Sequence, residues 1–457
     1  MTSSAAKRLV VVGAGPGGYD AALAGAAAGL AVTLVERGKL GGTCLNWGCI
    51  PTKHLLAATL AVDALEAQAK QKLASGEITV DLAAVQAKKK KLLSATQSAM
   101  AKRLEQAGIV LATGNLSGVA PGLAKVTAGT ETRDIPFDAL ILALGSRAAA
   151  FPGVKPDGKA VLGVAPVLDF TEVPKSLVIV GAGAIGLEIS EIYHRLGARV
   201  TLVDAAPRLA PAEDPDVSKV VAQVMRRKGI DARPGVKVES LVTDEAGQAR
   251  LTLAGGEVIV AEKALVAIGR FAATVVPGLA ELGATFADAA PNRAWLVTDD
   301  TLQTAPDIYA VGDCNGRTLL AHAASSQGHY AARHAVGLES GPYAPGPIPG
   351  CYYGAPEIMR VGAIAAPGDG VSEAAFVANP IAQAHADTAG FARAVWRDGR
   401  VVGLTAVGHG ASTMGTLATV IVAEGWTRER CEALVFPHPG LDETLRAALL
   451  AEVKTKE

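Results

Sequence analysis

Residues 9–36 read LVVVGAGPGGYDAALAGAAAGLAVTLVE, and residues 177–204 read LVIVGAGAIGLEISEIYHRLGARVTLVD. The two stretches align without a gap. Each begins with a run of Val, Ile and Leu that is typical of a buried strand, passes through Gly-x-Gly-x-x-Gly into a helical segment, and ends in Val-Thr-Leu-Val before an acid. This internal repeat predicts that the chain holds two copies of one strand–helix–strand unit.

The glycines of each unit match the fingerprint of a dinucleotide-binding turn. They permit a tight turn and a close approach of the backbone to a pyrophosphate at the start of the following helix, while the acid can hydrogen-bond a ribose hydroxyl. One Gly-x-Gly-x-x-Gly alone is weak evidence, but strand, glycines, helix and acid agree in both copies. The predicted dinucleotide contacts are Gly13, Gly15, Gly18 and Glu36 in the first unit and Gly181, Gly183, Gly186 and Asp204 in the second.

Further strands are predicted to complete the two units. DALILALGS (138–146) and KALVAIGR (263–270) each read as a buried strand ending in Gly, and DIYAVGDC (307–314) reads as another strand, ending in Gly-Asp. Residues 54–110 are predicted to form two long amphipathic helices inserted in the first unit.

The C-terminal quarter has a different pattern. It follows a loop rich in Gly and Pro (337–350) and contains short strand-like runs with helical stretches near 412–424 and 442–455, which indicate an α+β domain. The predicted fold is therefore α/β, with two Rossmann-like dinucleotide-binding domains and a C-terminal α+β domain.

Composition excludes several broad classes of protein. The 457 residues carry a net charge of −1, which argues against a general nucleic-acid binder. No stretch gives about 18 uninterrupted apolar residues, so we expect no membrane span. The N-terminal sequence has no apolar core or cleavage site of a signal peptide, and we expect a cytoplasmic protein.

Two of the five cysteines, Cys44 and Cys49, lie close together in GGTCLNWGCIPTK (41–53). In a regular helix, positions i and i+5 lie roughly 7.5 Å apart along the axis, whereas a disulfide needs Cα atoms about 4.4–6.8 Å apart. A disulfide here requires the segment to distort, which the Gly-rich lead-in and Gly48 permit. The helix predicted after Cys49 has a positive end that stabilises a thiolate, the reactive form of cysteine.

A metal site is the alternative for a close cysteine pair. The chain has no second cysteine pair, no HExxH motif and no His cluster near residues 44–49, so we expect no metal. Two dinucleotides and a reactive cysteine pair favour an electron relay, in which a nicotinamide gives a hydride to a flavin and the flavin exchanges electron pairs with a disulfide. Cys314, Cys351 and Cys431 are interpreted as ordinary buried cysteines.

The motif GGTCLNWGCIPTK resembles the redox-active disulfide of the class I pyridine nucleotide–disulfide oxidoreductases. The resemblance covers nearly the whole chain, because YAVGDC, LAHAASSQG and a C-terminal HPGLDE follow in the family's order. It implies FAD in the first unit, NAD in the second, and a homodimer formed through the C-terminal domain. The implied domains are FAD-binding (1–145 and 270–340), NAD-binding (146–269) and interface or dimerisation (341–457).

The resemblance also implies a role for individual residues. Cys49 is expected against the flavin as the charge-transfer thiolate, and Cys44 as the outer sulfur that exchanges with substrate. His438 and Glu443 are expected to form an acid–base pair supplied by the other subunit. The implied cofactor contacts are Glu36 on the FAD ribose, Lys53 paired with Glu188 near the flavin, and Gly42, Thr43, Gly114, Ser146, Asp313, Ala321 and Gly269.

The members that the chain resembles most oxidise dihydrolipoyl groups, on a carrier protein or as free dihydrolipoamide, and reduce NAD⁺. Asp204 followed by Ala205 favours NAD over NADP, because an acid repels a 2′-phosphate; Arg208 is a minor counter-signal. Phe436 and Gly440 replace the His and Thr usual in this tail, which bears on the substrate and its carrier.

Three other functions remain open at this stage. One is an NADH-dependent reductase of another disulfide. The second is a flavin-dependent NADH oxidase, quinone reductase or transhydrogenase that uses no thiol. The third is a nucleotide-binding subunit without enzymatic activity. The paired cysteines and the His–Glu tail favour the two functions that use a disulfide.

Overall fold

The computed structural model describes residues 6–151, 153–287 and 294–457. The chain forms two compact units. Unit 1 consists of Met1–Pro51, Ala87–Ala149 and Gly269–Pro345, and unit 2 consists of Thr52–Gln86, Ala150–Ile268 and Gly346–Glu457.

The described residues form both helices and strands. The α-helices are α1 (Pro16–Ala27), α2 (Gly42–Trp47), α3 (Cys49–Lys70), α4 (Leu82–Gln106), α5 (Val164–Leu168), α6 (Ala184–Arg195), α7 (Pro215–Lys228), α8 (Ala321–His334), α9 (Pro380–Ala384), α10 (Gly415–Ala423), α11 (Arg428–Ala433) and α12 (Glu443–Leu450). Short 3₁₀ turns cover Gly312–Asn315, Phe376–Ala378 and Ala411–Met414.

The strands fall into six sheets. They are β1 (Arg8–Val12), β2 (Ala31–Glu36), β3 (Val110–Thr113), β4 (Asn115–Ala120), β5 (Leu123–Ala128), β6 (Glu131–Pro136), β7 (Ala139–Leu142), β8 (Ser146–Ala148), β9 (Val161–Leu162), β10 (Ser176–Val180), β11 (Arg199–Asp204), β12 (Asp231–Pro234), β13 (Val238–Thr243), β14 (Ala249–Leu253), β15 (Val258–Ala261), β16 (Lys263–Val266), β17 (Arg270–Ala272), β18 (Gln303–Ala305), β19 (Ile308–Ala310), β20 (Gly350–Tyr352), β21 (Glu357–Gly362), β22 (Gly370–Ala375), β23 (Phe391–Arg397), β24 (Arg400–Gly408) and β25 (Lys454–Thr455).

Unit 1 is built on a six-stranded sheet in the order β18-β19-β7-β1-β2-β3. All neighbours from β19 to β3 are parallel. Alternate residues of β1 face opposite layers: Leu9 and Val11 pack with α1 and α8, while Val10 and Val12 pack with the small sheet β4-β5-β6. β1 is therefore buried on both faces, which is why it reads as a continuous apolar run.

Unit 2 repeats this arrangement around β10. Its five-stranded sheet has the order β12-β11-β10-β16-β9, with parallel pairing throughout. Leu177 and Ile179 pack in the cluster that contains α6, while Val178 and Val180 pack with the sheet β13-β14-β15. The predicted repeat is confirmed: β10 lies between β11 and β16 as β1 lies between β2 and β7. This is the switch in strand order at which open α/β sheets bind ligands.

The C-terminal part of unit 2 is an antiparallel sheet with the order β20-β21-β24-β23-β22-β25. Helices α10 and α12 cover it over a core that includes Met359, Trp396 and Ile421. The predicted α+β pattern is confirmed. The helix predicted over 442–455 ends at Leu450, because the backbone becomes extended at Ala451 and the last residues add a strand to the sheet edge.

The two long helices predicted over 54–110 are α3 and α4. Within unit 2, α3 is joined to α6 and α7 by charged side chains in a partly buried cluster. The carboxylate of Asp63 lies 2.6 Å from the Arg195 guanidinium and 2.7 Å from the Lys228 ammonium, and Lys228 also contacts Glu191. These two cations lower the pKa of Asp63 despite its burial. Both cations compensate the charge of the largely buried Asp63 carboxylate.

Gly186→Ala tests the packing of α6 on its sheet. A Cβ at position 186 would lie 1.8 Å from the carbonyl oxygen of Gly181. We expect the variant to lower the free energy of unfolding by at least about 1–3 kcal/mol, the usual cost of overpacking, in urea unfolding followed by circular dichroism. Gly183→Ala is the matched control, with an expected loss below about 1 kcal/mol, because no heavy atom lies within 4 Å of its Cβ position. Equal losses would contradict this account.

Candidate functional site

The first Gly-rich turn joins β1 to α1 through very close backbone contacts. Gly13 has φ 98° and donates its N–H to the Val35 carbonyl at 2.7 Å. A Cβ on Gly18 would lie 1.8 Å from the Gly13 oxygen, whereas a Cβ on Gly15 would meet nothing closer than 3.8 Å. Gly13 and Gly18 therefore serve the packing of the turn. Gly15 leaves room at the start of α1, where no side chain caps the helix, and this fits a pyrophosphate.

Glu36 is oriented by two backbone N–H groups at the end of β2. Its carboxylate accepts hydrogen bonds from Ala14 at 2.7 Å and from Gly38 at 2.8 Å. The carboxylate therefore lies beside the Gly-rich turn, at the carboxyl end of the parallel strands, as a ribose ligand must.

Other predicted FAD contacts follow the same edge of the sheet in unit 1. Gly114 comes directly after β3 and donates its N–H to the Glu36 carbonyl at 3.0 Å. Ser146 begins β8 shortly after β7, Asp313 lies in the 3₁₀ turn after β19, and Ala321 begins α8. Because the carboxyl ends of parallel strands meet at one edge, the fold brings these predicted residues together.

An arginine that the sequence reasoning missed joins two of these residues. The Ser146 hydroxyl donates to the Asp313 carboxylate, and Arg270 donates from Nε to the Ser146 hydroxyl oxygen at 2.6 Å. Arg270 Nε is also 3.6 Å from Asp313 Oδ2. The available signal was an arginine directly after the buried strand in KALVAIGR. The three side chains form one polar cluster in unit 1.

The cysteine segment departs from a regular helix between its two thiols. Cys44 lies in α2 and is partly exposed, and Cys49 is the exposed first residue of α3. Gly48, between them, has φ −141° and ψ −112°, which ends α2. The distortion expected if the two sulfurs bond is present, and so is the helix that begins at Cys49.

The same segment is fixed against the first Gly-rich turn. A Cβ on Gly42 would lie 2.6 Å from the Cα of Gly15, so only glycine fits at this approach. The Asn46 amide donates to the carbonyls of Leu40 at 3.0 Å and Gly42 at 2.9 Å, and Gln97 donates to Asn46 at 2.5 Å. Thr43 follows Gly42 in α2. The cysteines are therefore held at the nucleotide edge of unit 1.

The second Gly-rich turn reproduces the first within unit 2. Gly181 has φ 115° and donates to the Val203 carbonyl at 2.8 Å. Asp204 accepts from Ala182 at 2.5 Å and from Ala206 at 2.7 Å, the same pair of positions that orient Glu36 in the first unit. The helix that follows, α6, has no side-chain cap. Both sites thus have the same construction for a dinucleotide.

Arg208, the minor counter-signal in the sequence, is bonded to its own loop in the structure. Its guanidinium donates to the carbonyls of Pro211 at 2.8 Å and Glu213 at 3.1 Å. These bonds hold the loop after β11, so the guanidinium is occupied by backbone carbonyls. Gly269, another predicted cofactor contact, accepts from Ala149 at 2.9 Å in unit 1.

The predicted contact between Lys53 and Glu188 is present in unit 2. The ammonium lies 2.7 and 2.8 Å from the two carboxylate oxygens. Tyr353 supports the pair in two ways that no sequence motif indicated: its N–H donates to Glu188 at 3.0 Å, and its ring centroid lies 4.5 Å from the Lys53 ammonium. Lys53 is four residues after Cys49 in α3, on the same helical face.

His438 and Glu443 form the predicted pair in the C-terminal loop. Nδ1 of His438 lies 3.1 and 3.2 Å from the two Glu443 carboxylate oxygens. The His438 side chain is 77% exposed, so the part of the ring directed away from Glu443 is accessible to solvent. The N–H of Gly440 donates to Glu443 at 3.0 Å. This hydrogen bond, with that from His438, lowers the pKa of Glu443 below its ordinary value. The carboxylate is therefore ionised at neutral pH.

The two departures in this tail have different structural roles. Phe436 is buried, with 9% exposed, and so leaves no polar ring at the surface. A Cβ on Gly440 would lie 2.4 Å from Oδ1 of Asp442, at the end of a side chain that can rotate away, and 3.3 Å from the Pro437 carbonyl oxygen.

The other cysteines are not all buried. Cys314 and Cys431 are buried as predicted, and burial raises the pKa of Cys314 to about 12. Cys351 is only partly buried, because β20 is the edge strand of its sheet, and the prediction was wrong for this residue. Among residues 6–151, 153–287 and 294–457, no three His, Cys, Asp or Glu side chains are placed to hold a metal ion.

Comparison with known families gives two adjacent matches. Residues 7–328 match the model of the pyridine nucleotide-disulphide oxidoreductases, and residues 348–449 match the dimerisation domain of the same family. The chain belongs to this family. It is an oxidoreductase of a family that uses FAD and NAD, and it carries the dimerisation domain.

Individual relatives match the chain from end to end. A dihydrolipoyl dehydrogenase of Chlorobaculum parvum is 34% identical over 100% of this chain and 99% of its own length, and one of Zymomonas mobilis is 33% identical over 97% of both. The crystal structure of LpdA from Mycobacterium tuberculosis superposes with a TM-score of 0.85 at 26% identity, covering 97% of this chain and 99% of that one. A flavoprotein disulfide reductase of Escherichia coli, at 22% identity and TM-score 0.86 over 98% and 99% of the chains, shares the fold.

None of the helices in the part of the chain that the structure describes is both long and apolar enough to span a membrane.

Asp204→Ala should narrow the preference for NAD over NADP. The carboxylate is oriented beside the second Gly-rich turn, where an acid is expected to repel a 2′-phosphate, while Arg208 is occupied by backbone carbonyls. We expect the ratio of kcat/KM for NAD⁺ to that for NADP⁺ to fall by at least about tenfold, or about 1.4 kcal/mol. Asp231→Ala on β12 is a matched control, because its carboxylate pairs with Arg233 at 2.8 Å. An unchanged ratio in Asp204→Ala would refute this role.

Proposed function

We propose that this protein is a dihydrolipoyl dehydrogenase, which oxidises dihydrolipoyl groups to the cyclic disulfide through Cys44 and Cys49 and reduces NAD⁺ to NADH. The observation that carries the proposal is the cysteine segment, in which the helix breaks at Gly48 and restarts at Cys49. Relatives of this name at 33–34% identity over nearly the full length support the substrate.

In the proposed resting state Cys44 and Cys49 share a disulfide. One thiolate of the dihydrolipoyl group attacks the sulfur of Cys44, which breaks the Cys44–Cys49 bond and releases Cys49 as a thiolate. That thiolate lies at the start of α3, whose dipole stabilises negative charge. The second substrate thiolate then displaces Cys44 and closes the lipoyl disulfide. Two electrons pass from the substrate to the cysteine pair. Of the two protons that leave the substrate, one ends on the displaced Cys44 thiol and the other on the acid–base group.

His438 is the proposed acceptor of the substrate's proton. With Nδ1 directed at Glu443, the imidazole keeps Nε2 for the thiol. Glu443 stays ionised because Gly440 and His438 lower its pKa, so it fixes the ring and stabilises the imidazolium that forms. By the family resemblance, this pair acts on the cysteines of the other subunit.

The two Gly-rich turns are the proposed cofactor sites. FAD, when bound, accepts the electron pair of the reduced cysteines and passes it to NAD⁺. Glu36 and the cluster of Ser146, Arg270 and Asp313 would hold FAD in unit 1, and Asp204 would hold the ribose of NAD in unit 2. By resemblance, Lys53 serves the flavin. The proposed domain division is 1–145 with 270–340 for FAD, 146–269 for NAD and 341–457 for the interface.

We propose that the protein is a homodimer. Its substrate is a dihydrolipoyl group on a lipoyl-bearing carrier protein, or free dihydrolipoamide. The dimerisation domain supports the homodimer. A cytoplasmic location is also part of the proposal. The buried Phe436 and the side-chain-free Gly440 shape the rim beside His438, which we propose makes turnover differ among lipoyl carriers.

An anaerobic titration with NADH tests the redox role of the cysteines. We expect two-electron reduction to release two additional titratable thiols per chain in the wild type, and none in Cys49→Ser, because that variant cannot form the disulfide. Cys351→Ser is the control, since this thiol lies outside the pair, and it should behave as the wild type. If Cys49→Ser keeps full turnover of dihydrolipoamide, the cysteine assignment is wrong. Faster turnover of glutathione than of any lipoyl substrate would favour a reductase of another disulfide.

His438→Ala should separate the two half-reactions. General acid–base catalysis contributes about 10²–10⁴-fold, so we expect oxidation of dihydrolipoamide to fall by at least that order while reduction of the flavin by NADH survives. Stopped-flow absorbance measures each half-reaction. His385→Ala, a histidine on another loop of unit 2, is the control.

Mixed dimers test whether the acid–base pair acts between subunits. His438→Ala and Cys44→Ser chains, each inactive alone, should restore part of the activity when they exchange subunits. An absence of restoration despite demonstrated exchange would rule out action across the interface.

A further inference from the structure

Asn379 is a buried polar residue between the 3₁₀ turn Phe376–Ala378 and α9. Its side-chain oxygen accepts hydrogen bonds from the N–H groups of Ile381 at 2.8 Å and Ala382 at 3.2 Å. These bonds make it the N-cap of α9. Capping uses only the oxygen of this amide, and the nitrogen makes other contacts.

The nitrogen of Asn379 reaches a distant part of the chain. Nδ2 donates to the carbonyl of Gly440 at 2.9 Å and to the hydroxyl of Thr444 at 3.0 Å. The side chain thereby uses two acceptor and two donor positions, which is the full capacity of an amide. Aspartate or serine would cap α9 equally well, but neither supplies both donors.

Gly440 and Thr444 bracket the carboxylate that contacts His438. Gly440 is fixed on both sides of its backbone: its N–H donates to Glu443 at 3.0 Å, and its carbonyl is held by Asn379. Thr444 is the neighbour of Glu443 in the first turn of α12 and is itself buried. The bonds to Asn379 therefore connect the exposed imidazole, through Glu443 and Gly440, to the interior of unit 2.

We propose that Asn379 is a positioning residue for the acid–base pair His438–Glu443. It contacts neither reacting sulfur nor cofactor, and it acts by holding the loop that carries the pair. This inference rests on the proposed function, which gives the pair its catalytic role. Small misplacements of a catalytic group cost up to about 10²-fold in rate, so the loss of these donors should appear in the thiol half-reaction.

Asn379→Asp is the sharpest variant, because it keeps the shape of the side chain and the cap of α9 but replaces the donor by a carboxylate oxygen facing the Gly440 carbonyl. We expect oxidation of dihydrolipoamide to fall by roughly tenfold or more, with reduction of the flavin by NADH within twofold of the wild type. Gln383→Glu is the matched control: it makes the same change of charge on exposed α9, where the amide donates only to Val377.

A crystal structure of each variant tests the position of the Gly440–Glu443 loop without any substrate. In Asn379→Asp we expect the Gly440–Glu443 loop to shift and the contact between His438 Nδ1 and Glu443 to lengthen or break. In Gln383→Glu both should stay in place. If the wild type does not turn over dihydrolipoamide, the proposed function fails, while the comparison of loops still decides the role of Asn379.

Thr444→Val covers the case in which Asn379→Asp does not fold. It leaves the cap of α9 intact and removes one acceptor of Nδ2, while the carbonyls of Gly440 and Leu441 remain. We therefore expect a smaller loss confined to the same half-reaction. The inference is overturned if the folded variant oxidises dihydrolipoamide within twofold of the wild type, if both half-reactions fall equally, or if the loop does not move.

Discussion

The structure depends on one backbone contact that occurs twice. In each Gly-rich turn, the third glycine, which lies in the helix, packs against the carbonyl oxygen of the first glycine. Gly18 approaches Gly13, and Gly186 approaches Gly181, with no room for a Cβ at either place. The contact sets the helix directly over the strand and leaves the start of the helix open. The carboxylate at the end of the next strand, Glu36 or Asp204, lies beside that helix start. A backbone N–H group of the turn donates a hydrogen bond to it.

The cysteine segment uses the same opening in unit 1. Gly42 meets Gly15 so closely that the segment is positioned by the nucleotide turn itself. The helix break at Gly48 then separates one thiol, within α2, from the other, at the start of α3. Further along α3, within unit 2, Lys53 and Asp63 pair with charges on α6.

The sequence was sufficient wherever the signal was local. The repeat predicted both sheets, because strand, glycines and acid follow one another within about thirty residues, and Cys44 and Cys49 are close in the chain. Apart from Lys53–Glu188, which the family resemblance implied, long-range contacts were not predicted. Arg270 reaches Ser146, Tyr353 reaches Glu188, and Asn379 reaches Gly440, and no spacing connects these pairs. The final helix was predicted too long because its amphipathic pattern continues into an edge strand.

The bonds of Arg208 to the loop after β11 bear on how this cofactor preference can change in evolution. An arginine with a free guanidinium near the acid can accommodate a 2′-phosphate. Here the guanidinium is already built into the backbone of its loop. Removing Asp204 would take away the repulsion without supplying attraction. A change of preference from NAD to NADP would need a new cation as well as a different loop after β11. A single substitution would therefore not reverse the preference.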